Sequence, residues 1–167
     1  MDQTAERPGP RRRALGLWFA GRAKRELYAW VAAEVSRVAR ISDLVVGFGP
    51  ERDGADLVFE GIEHSRKSTV VSAGPGAFGE EGEAALVLLN GNLNSSSDVQ
   101  GLLEGLRPFL ARRSRVAAVI YNPYLSWLYR LADRFGLRDG PPATTFLTRV
   151  SLEGLARLSG YEVVRYR

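Results

Sequence analysis

Cysteine is absent from this chain of 167 residues, and histidine occurs once, at His64. Without thiols there is no disulfide, no thiolate metal site and no cysteine nucleophile. A single histidine leaves a multi-histidine metal centre or a Ser-His-Asp triad without support. Long apolar runs are also lacking, and none approaches the ~20 residues that a membrane span needs. The short run "ALGLWFAG" follows three arginines, as the start of a secretory leader would. Its apolar core is too short for one, and Arg22, Lys24 and Arg25 follow at once. These absences point to a cytoplasmic protein whose chemistry comes from a borrowed cofactor or from carboxylates.

What is present is ordinary globular material, 45% hydrophobic and 25% charged, of a length that makes one domain. The net charge of +4 is unevenly spread. Residues 1–25 hold seven basic residues against Asp2 and Glu6, a net +5, which leaves about −1 for the rest. Residues 1–16 read as a basic disordered arm and 17–167 as a single α/β domain. Such an arm is either a solvated tail or a segment drawn to an anionic partner.

From Trp18 to Arg40 the pattern is helical, with Leu27, Val31, Val35 and Val38 on one stripe that Trp30 and Tyr28 widen. Trp18, Trp30 and Trp127 are expected in the core, and His64 on the surface. "ISDLVVGFG" reads as a strand entering a glycine turn. "ADLVFEGIEHS" reads as a second strand ending near Glu63, "STVVSAGPG" as a third, and "EAALVLLNGNLN" as a strand buried on both faces. Ser97 and Gln100 form a capping-box pattern ahead of a helix. "RVAAVIYNP" is a further strand. "YLSWLYRLADRFG" is a helix with Leu125, Leu128, Leu131 and Phe135 inward and Gly136 as its cap. "LRDGPPATTFL" is a loop. A last helix runs from about Thr148 to Gly160, and "YEVVRY" reads as a final strand.

Strands alternate with helices, which predicts an open, mostly parallel sheet with helices on both faces. Ligands of such sheets bind beyond the carboxyl ends of the strands. The candidate places are therefore Gly47–Gly49, Glu60–Ser65, the polar run Asn90–Ser97, and Asn122. The pattern Gly74 to Gly79 matches G-x-G-x-x-G literally. No helix can follow it before the next strand, so it reads as a loop.

The order of these pieces resembles the class I S-adenosylmethionine-dependent methyltransferases. "ALVLLNGNLNSSSDVQGLLEGLRPFLARRSRVAAVIYNP" is similar to that family's fourth strand, helix and fifth strand. "YLSWLYRLADRFGL" and "TRVSLEGLARLSGYEVVRYR" resemble the segments that follow. "DLVVGFGPE" is similar to the family's first motif, with Gly47 and Gly49 matching, Val45 at the acidic position and Glu51 at the third glycine. "GIEHS" resembles the end of the second strand, which makes Glu63 the acid for the ribose hydroxyls. The family's helix between its second and third strands has no counterpart in this reading, and Ala84-Ala85 stands where it opens its fourth strand with an aromatic-Asp pair.

The resemblance implies a Rossmann-like methyltransferase fold in truncated form. It implies S-adenosylmethionine held by Gly47, Phe48, Gly49, Glu63, Asn90 and Asn92, with Tyr121 and Asn122 toward a small-molecule acceptor. Methyl transfer from a sulfonium rests on positioning more than on acid-base groups, so no catalytic base is named. The altered glycine motif equally supports a catalytically inactive methyltransferase-like domain that serves as a binding or scaffold protein. A third reading is a nucleic-acid-associated protein using the basic arm. An open sheet ending on an exposed edge strand also offers a route to a homodimer.

Overall fold

The computed structural model describes residues 10–49, 55–134 and 143–164. Helix α1 (Pro10–Ala39) leads into β1 (Leu44–Phe48), α2 (Ala55–Glu60) and β2 (Lys67–Val70). Then come β3 (Ala85–Asn90), a single turn α3 (Asn92–Ser95), α4 (Val99–Leu106) and β4 (Arg115–Val119). Helices α5 (Ser126–Arg134) and α6 (Arg149–Leu158) complete the order. The four strands form one parallel sheet in the order β2-β1-β3-β4.

Parallel neighbours need a crossover between them, usually a helix. That requirement corrects the reading of residues 55–65. The segment read as a second strand is α2, the crossover from β1 to β2, and "STVV" supplies β2 instead. Its short apolar run fits either element by pattern alone. Val58 and Ile62, four residues apart, bury against Ala32 and Val35 of α1. A helix thus does stand between β1 and β2, and the sheet has four strands where the sequence reading gave six.

Each face of the sheet has its own core. Val45, Leu86 and Leu88 pack against α1 and α2. Val46, Val87 and Leu89 pack against Leu103 and Leu106 of α4 and partly buried Leu152 and Leu155 of α6. Strand β3 is the centre, with Ala85 to Leu89 buried on both sides, as its unbroken apolar run predicts. Helix α1 reaches this core through its carboxyl half, where Ala32, Val35 and Ala39 are buried. Leu27 and Trp30, expected on that stripe, face solvent.

The 30 residues of α1 are about 45 Å long, against about 17 Å for the five-residue β1. Its carboxyl end lies at the amino edge of the sheet, where Ser36 Oγ accepts from the Glu63 N–H. Its amino-terminal half therefore projects past the carboxyl edge. The helix begins at Pro10, inside the stretch read as a disordered arm.

Two end signals hold and two do not. Thr148 caps α6 by accepting from Ser151 N–H at 3.2 Å, and Gly160 follows its end. Helix α4 is capped by Asp98, which accepts from Gly101 N–H at 2.7 Å, rather than by the Ser97–Gln100 box. The start of α4 thus lies one residue beyond the box, with Ser96 and Ser97 linking α3 to the Asp98 cap. The expected final strand does not form over residues 161–164. Tyr161 is pulled toward α4 instead, where its hydroxyl donates to the Leu103 carbonyl at 2.9 Å. Burial pushes the Tyr161 phenol up from its ordinary pKa. Phe135 and Gly136 lie outside the described residues.

At the amino edge, Arg66 pairs with Glu83. The Arg66 hydrogen bond, with help from the Glu80 N–H, holds the Glu83 carboxyl below its usual pKa. A carboxylate depressed on folding adds stability above its unfolded pKa and loses it as pH falls through the folded value. Glu83→Gln should therefore flatten the acid limb of melting temperature against pH below about pH 5, and the difference from wild type should shrink in high salt. A pH series of thermal melts on both proteins checks it.

Candidate functional site at the carboxyl edge of the sheet

Strand order reverses between β1 and β3: β1 leads outward to β2, and β3 leads outward the other way to β4. This is the place where open α/β sheets bind ligands. Two glycines shape it. Gly49 leaves β1 with φ +97°, and Gly91 leaves β3 with φ +73°. Both values are costly for a residue with a Cβ.

Asn92 reaches across the gap between them. Its Nδ2 donates to the Phe48 carbonyl at 2.9 Å. A Cβ on Gly49 would lie 2.3 Å from that Nδ2. Gly49 is thus required twice, for its backbone angle and for the room that Asn92 occupies. The Gly49 N–H is spent on the Val70 carbonyl at 2.8 Å.

Asn94 is fully buried and holds three segments together. Its Oδ1 accepts from Tyr121 N–H at 2.8 Å, and its Nδ2 donates to the Thr145 carbonyl at 2.7 Å. Its own carbonyl accepts from the N–H groups of Thr144 and Thr145 at 2.8 and 2.9 Å. The exits of β3 and β4 and residues 143–146 are thereby tied into one rim. Tyr121 stacks on Tyr129 at 4.8 Å, and Tyr129 on Phe146 at 6.1 Å.

Asn90 behaves differently. It ends β3 half-buried, and its side-chain amide has no hydrogen-bond partner among the described residues. By strand alternation it points to the same side as Leu86 and Leu88, toward α1 and α2. Gly47 shares that side, and a Cβ there would touch Phe59 of α2 at 3.2 Å.

Gly47, Phe48, Gly49, Asn90 and Asn92 thus meet at the switch point, and Tyr121 and Asn122 stand at the exit of the adjacent β4. Asn122 is exposed and accepts from Tyr124 N–H at 3.0 Å, so its carbonyl serves as a turn cap. Glu63 is not part of this group. It precedes β2 and lies at the opposite edge, because the segment before it is a helix running down the sheet. The carboxyl end of β2 carries Val71 and Ser72 instead. His64 is also at the amino edge and only half exposed, its Nε2 3.0 Å from the Ser42 carbonyl. Glu51 lies outside the described residues.

The sequence reading missed Thr144 and Thr145 as parts of the rim. The one available signal was "ATTF", a β-branched and aromatic pocket of residues inside a segment otherwise read as loop. Among the described residues, no cluster of three or more histidine or acidic side chains could hold a metal ion. Comparisons with family models, curated proteins and solved structures return no match.

Two substitutions probe this rim. Asn94→Ala strands the Tyr121 N–H and the Thr145 carbonyl, and should cost about 3 kcal/mol in urea unfolding. Asn94→Asp keeps the first bond but sets a carboxylate oxygen against the Thr145 carbonyl, so it should rescue little.

Proposed function

We propose that the chain is a class I methyltransferase-type domain that binds S-adenosylmethionine at the β1/β3 switch point and passes its methyl group to a small-molecule acceptor in the cytoplasm. The observation that carries this reading is Asn90. A half-buried amide without a partner among the described residues, beside two positive-φ glycines at a switch point, is a group suited to a ligand. Asn90 is the natural donor and acceptor for an adenosine edge, while the space over Gly47 on that side is taken by Phe59, 3.2 Å from where a Cβ would sit. Asn92 braces the turn from below. Tyr121 and Asn122, at the neighbouring strand exit, face the acceptor side. Glu63 has no part in it.

A second reading has its own support. The carboxyl end of β2 offers Val71 and Ser72 where this family places the ribose carboxylate, and Asn92 fills part of the turn that would hug the cofactor. Loss of one charged hydrogen bond is worth about 1.5–3 kcal/mol, enough to weaken binding by one to two orders of magnitude. On that account the domain keeps the sheet and acts as a binding or scaffold protein.

Calorimetric titration with S-adenosylmethionine and its demethylated product separates the two. Cofactor binding predicts a saturable isotherm that Asn90→Ala weakens about tenfold, while Glu63→Ala leaves it unchanged. No heat and no thermal stabilisation at millimolar ligand would leave the scaffold reading standing.

A further inference from the structure

The two edges of the sheet are built differently. Edge strand β2 carries Lys67, whose Nζ donates to the carbonyls of Phe59, Glu60 and Ile62 at 3.0, 3.1 and 3.3 Å. A lysine on an edge strand guards against pairing with another chain. The opposite edge, β4, has no such guard. Between Arg115 and Tyr121 it reads Val-Ala-Ala-Val-Ile.

Parallel pairing fixes which backbone groups of β4 are in use. Val119 pairs with Asn90, and its carbonyl accepts from Gly91 N–H at 2.9 Å. Two residues on, Tyr121 N–H also turns inward, to Asn94 Oδ1. The backbone groups of Arg115, Ala117 and Val119 therefore face β3, and those of Val116, Ala118 and Ile120 face outward. None of these three has a backbone hydrogen bond among the described residues. Ala118 is exposed, and Val116 and Ile120 are half-buried.

A strand added here must match both faces of the sheet. Val116 and Ile120 border the core on the α4 side, and Ala117 and Val119 border the core on the α1 side. A second β4, antiparallel about a two-fold axis through Ala118, meets that demand. Val116 then stands opposite the partner's Ile120, Ala118 opposite the partner's Ala118, and Ala117 opposite the partner's Val119. The outward N–H and C=O groups meet as hydrogen-bonded pairs. The half-buried border of each core continues across the axis. The one charge, Arg115, falls opposite the partner's Tyr121, a ring rather than another arginine. Residue sizes that read nearly alike in both directions suit an isologous contact. An unrelated peptide would satisfy the backbone but would leave that symmetry without a cause.

We propose that β4 is the interface of a homodimer, in which two copies pair antiparallel through Ala118 and join their four-stranded sheets into one. The joined sheet then ends on a β2 strand with its Lys67 at both sides. The inference uses neither the glycine turn nor the cofactor, so it stands or falls apart from the methyl-transfer reading.

Sedimentation velocity of the full chain over a concentration series tests it. A reversible monomer–dimer equilibrium in the micromolar range is expected for a contact between two short strands. Ala118→Lys sets like charges opposite each other at the axis and should raise the dissociation constant about tenfold. The position is exposed, and an unchanged melting curve at concentrations where the wild type is monomeric would establish that the variant folds. Val150→Lys adds the same charge at an exposed position on α6 and should leave the equilibrium unchanged. In the dimer, the amides of Val116, Ala118 and Ile120 should exchange hydrogen more slowly than in the monomer, while those of Ala117 and Val119 are slow in both. A wild type that stays monomeric up to about 1 mM overturns the proposal. So does a dimer that Ala118→Lys leaves intact, or one whose outward β4 amides exchange as fast as in the monomer. Dissociation by Trp127→Ser/Leu131→Ser in place of Ala118→Lys also overturns it, because the contact would then lie on the exposed residues of α5.

Discussion

Asn94 is the residue on which the upper half of the molecule depends. It carries two side-chain bonds and three backbone bonds in a fully buried position. Every buried amide must be matched, and here each match belongs to a different part of the chain. Tyr121 fixes where β4 lets go. Thr144 and Thr145 fix where the chain returns before α6. The position of α5, which hangs between those two points through Tyr129, follows from the same bonds. A parallel sheet of short strands has little else to set the geometry beyond its carboxyl ends.

That rim divides its amides between structure and availability. Asn92 closes β1 against β3 and leaves nothing wider than Gly49 permissible beside it. Asn94 is consumed entirely. Asn122 spends its oxygen on Tyr124. Asn90 alone of the four makes no side-chain bond among the described residues. The run "NGNLN" therefore contains three asparagines with three different occupations, which composition alone could not separate.

The legible parts of this fold were those with a local cause. Strand β3 announced itself because both faces are buried, so its apolar run is unbroken. The Thr148 cap and the Gly160 stop are local chemistry as well. What escaped was decided at a distance. "ADLVFE" is a helix because two parallel neighbours need a crossover, a fact about topology rather than about six residues. Glu63 moved to the far edge as a direct result. Leu128 and Leu131 of α5, read as inward, are each 44% exposed, because a helical pattern gives a face and not the side on which the protein lies. At the candidate site, the placement of Gly47, Gly49, Asn90 and Asn92 at the carboxyl ends of β1 and β3 was legible from the strand-and-turn pattern. Thr145 was not, since its place depends on a hydrogen bond 51 residues back along the chain.

The chemistry open to this edge is limited by what asparagine can do. An amide neither gains nor loses a proton near neutrality, so the rim can hold and orient but cannot act as a general base. Methyl transfer from a sulfonium tolerates that limit. The donor loses its positive charge as the bond breaks, and an acceptor that is already nucleophilic needs only alignment. Alignment rests on fixed groups, and Asn92 and Asn94 are each held by hydrogen bonds at this edge. An acceptor that must first surrender a proton would need a base other than the asparagines described at these strand ends; Glu51 and Asp53, just after β1, lie outside the described residues. Under the proposed methyl transfer, the described amides of the rim suit an acceptor that is already deprotonated at neutral pH, such as a carboxylate.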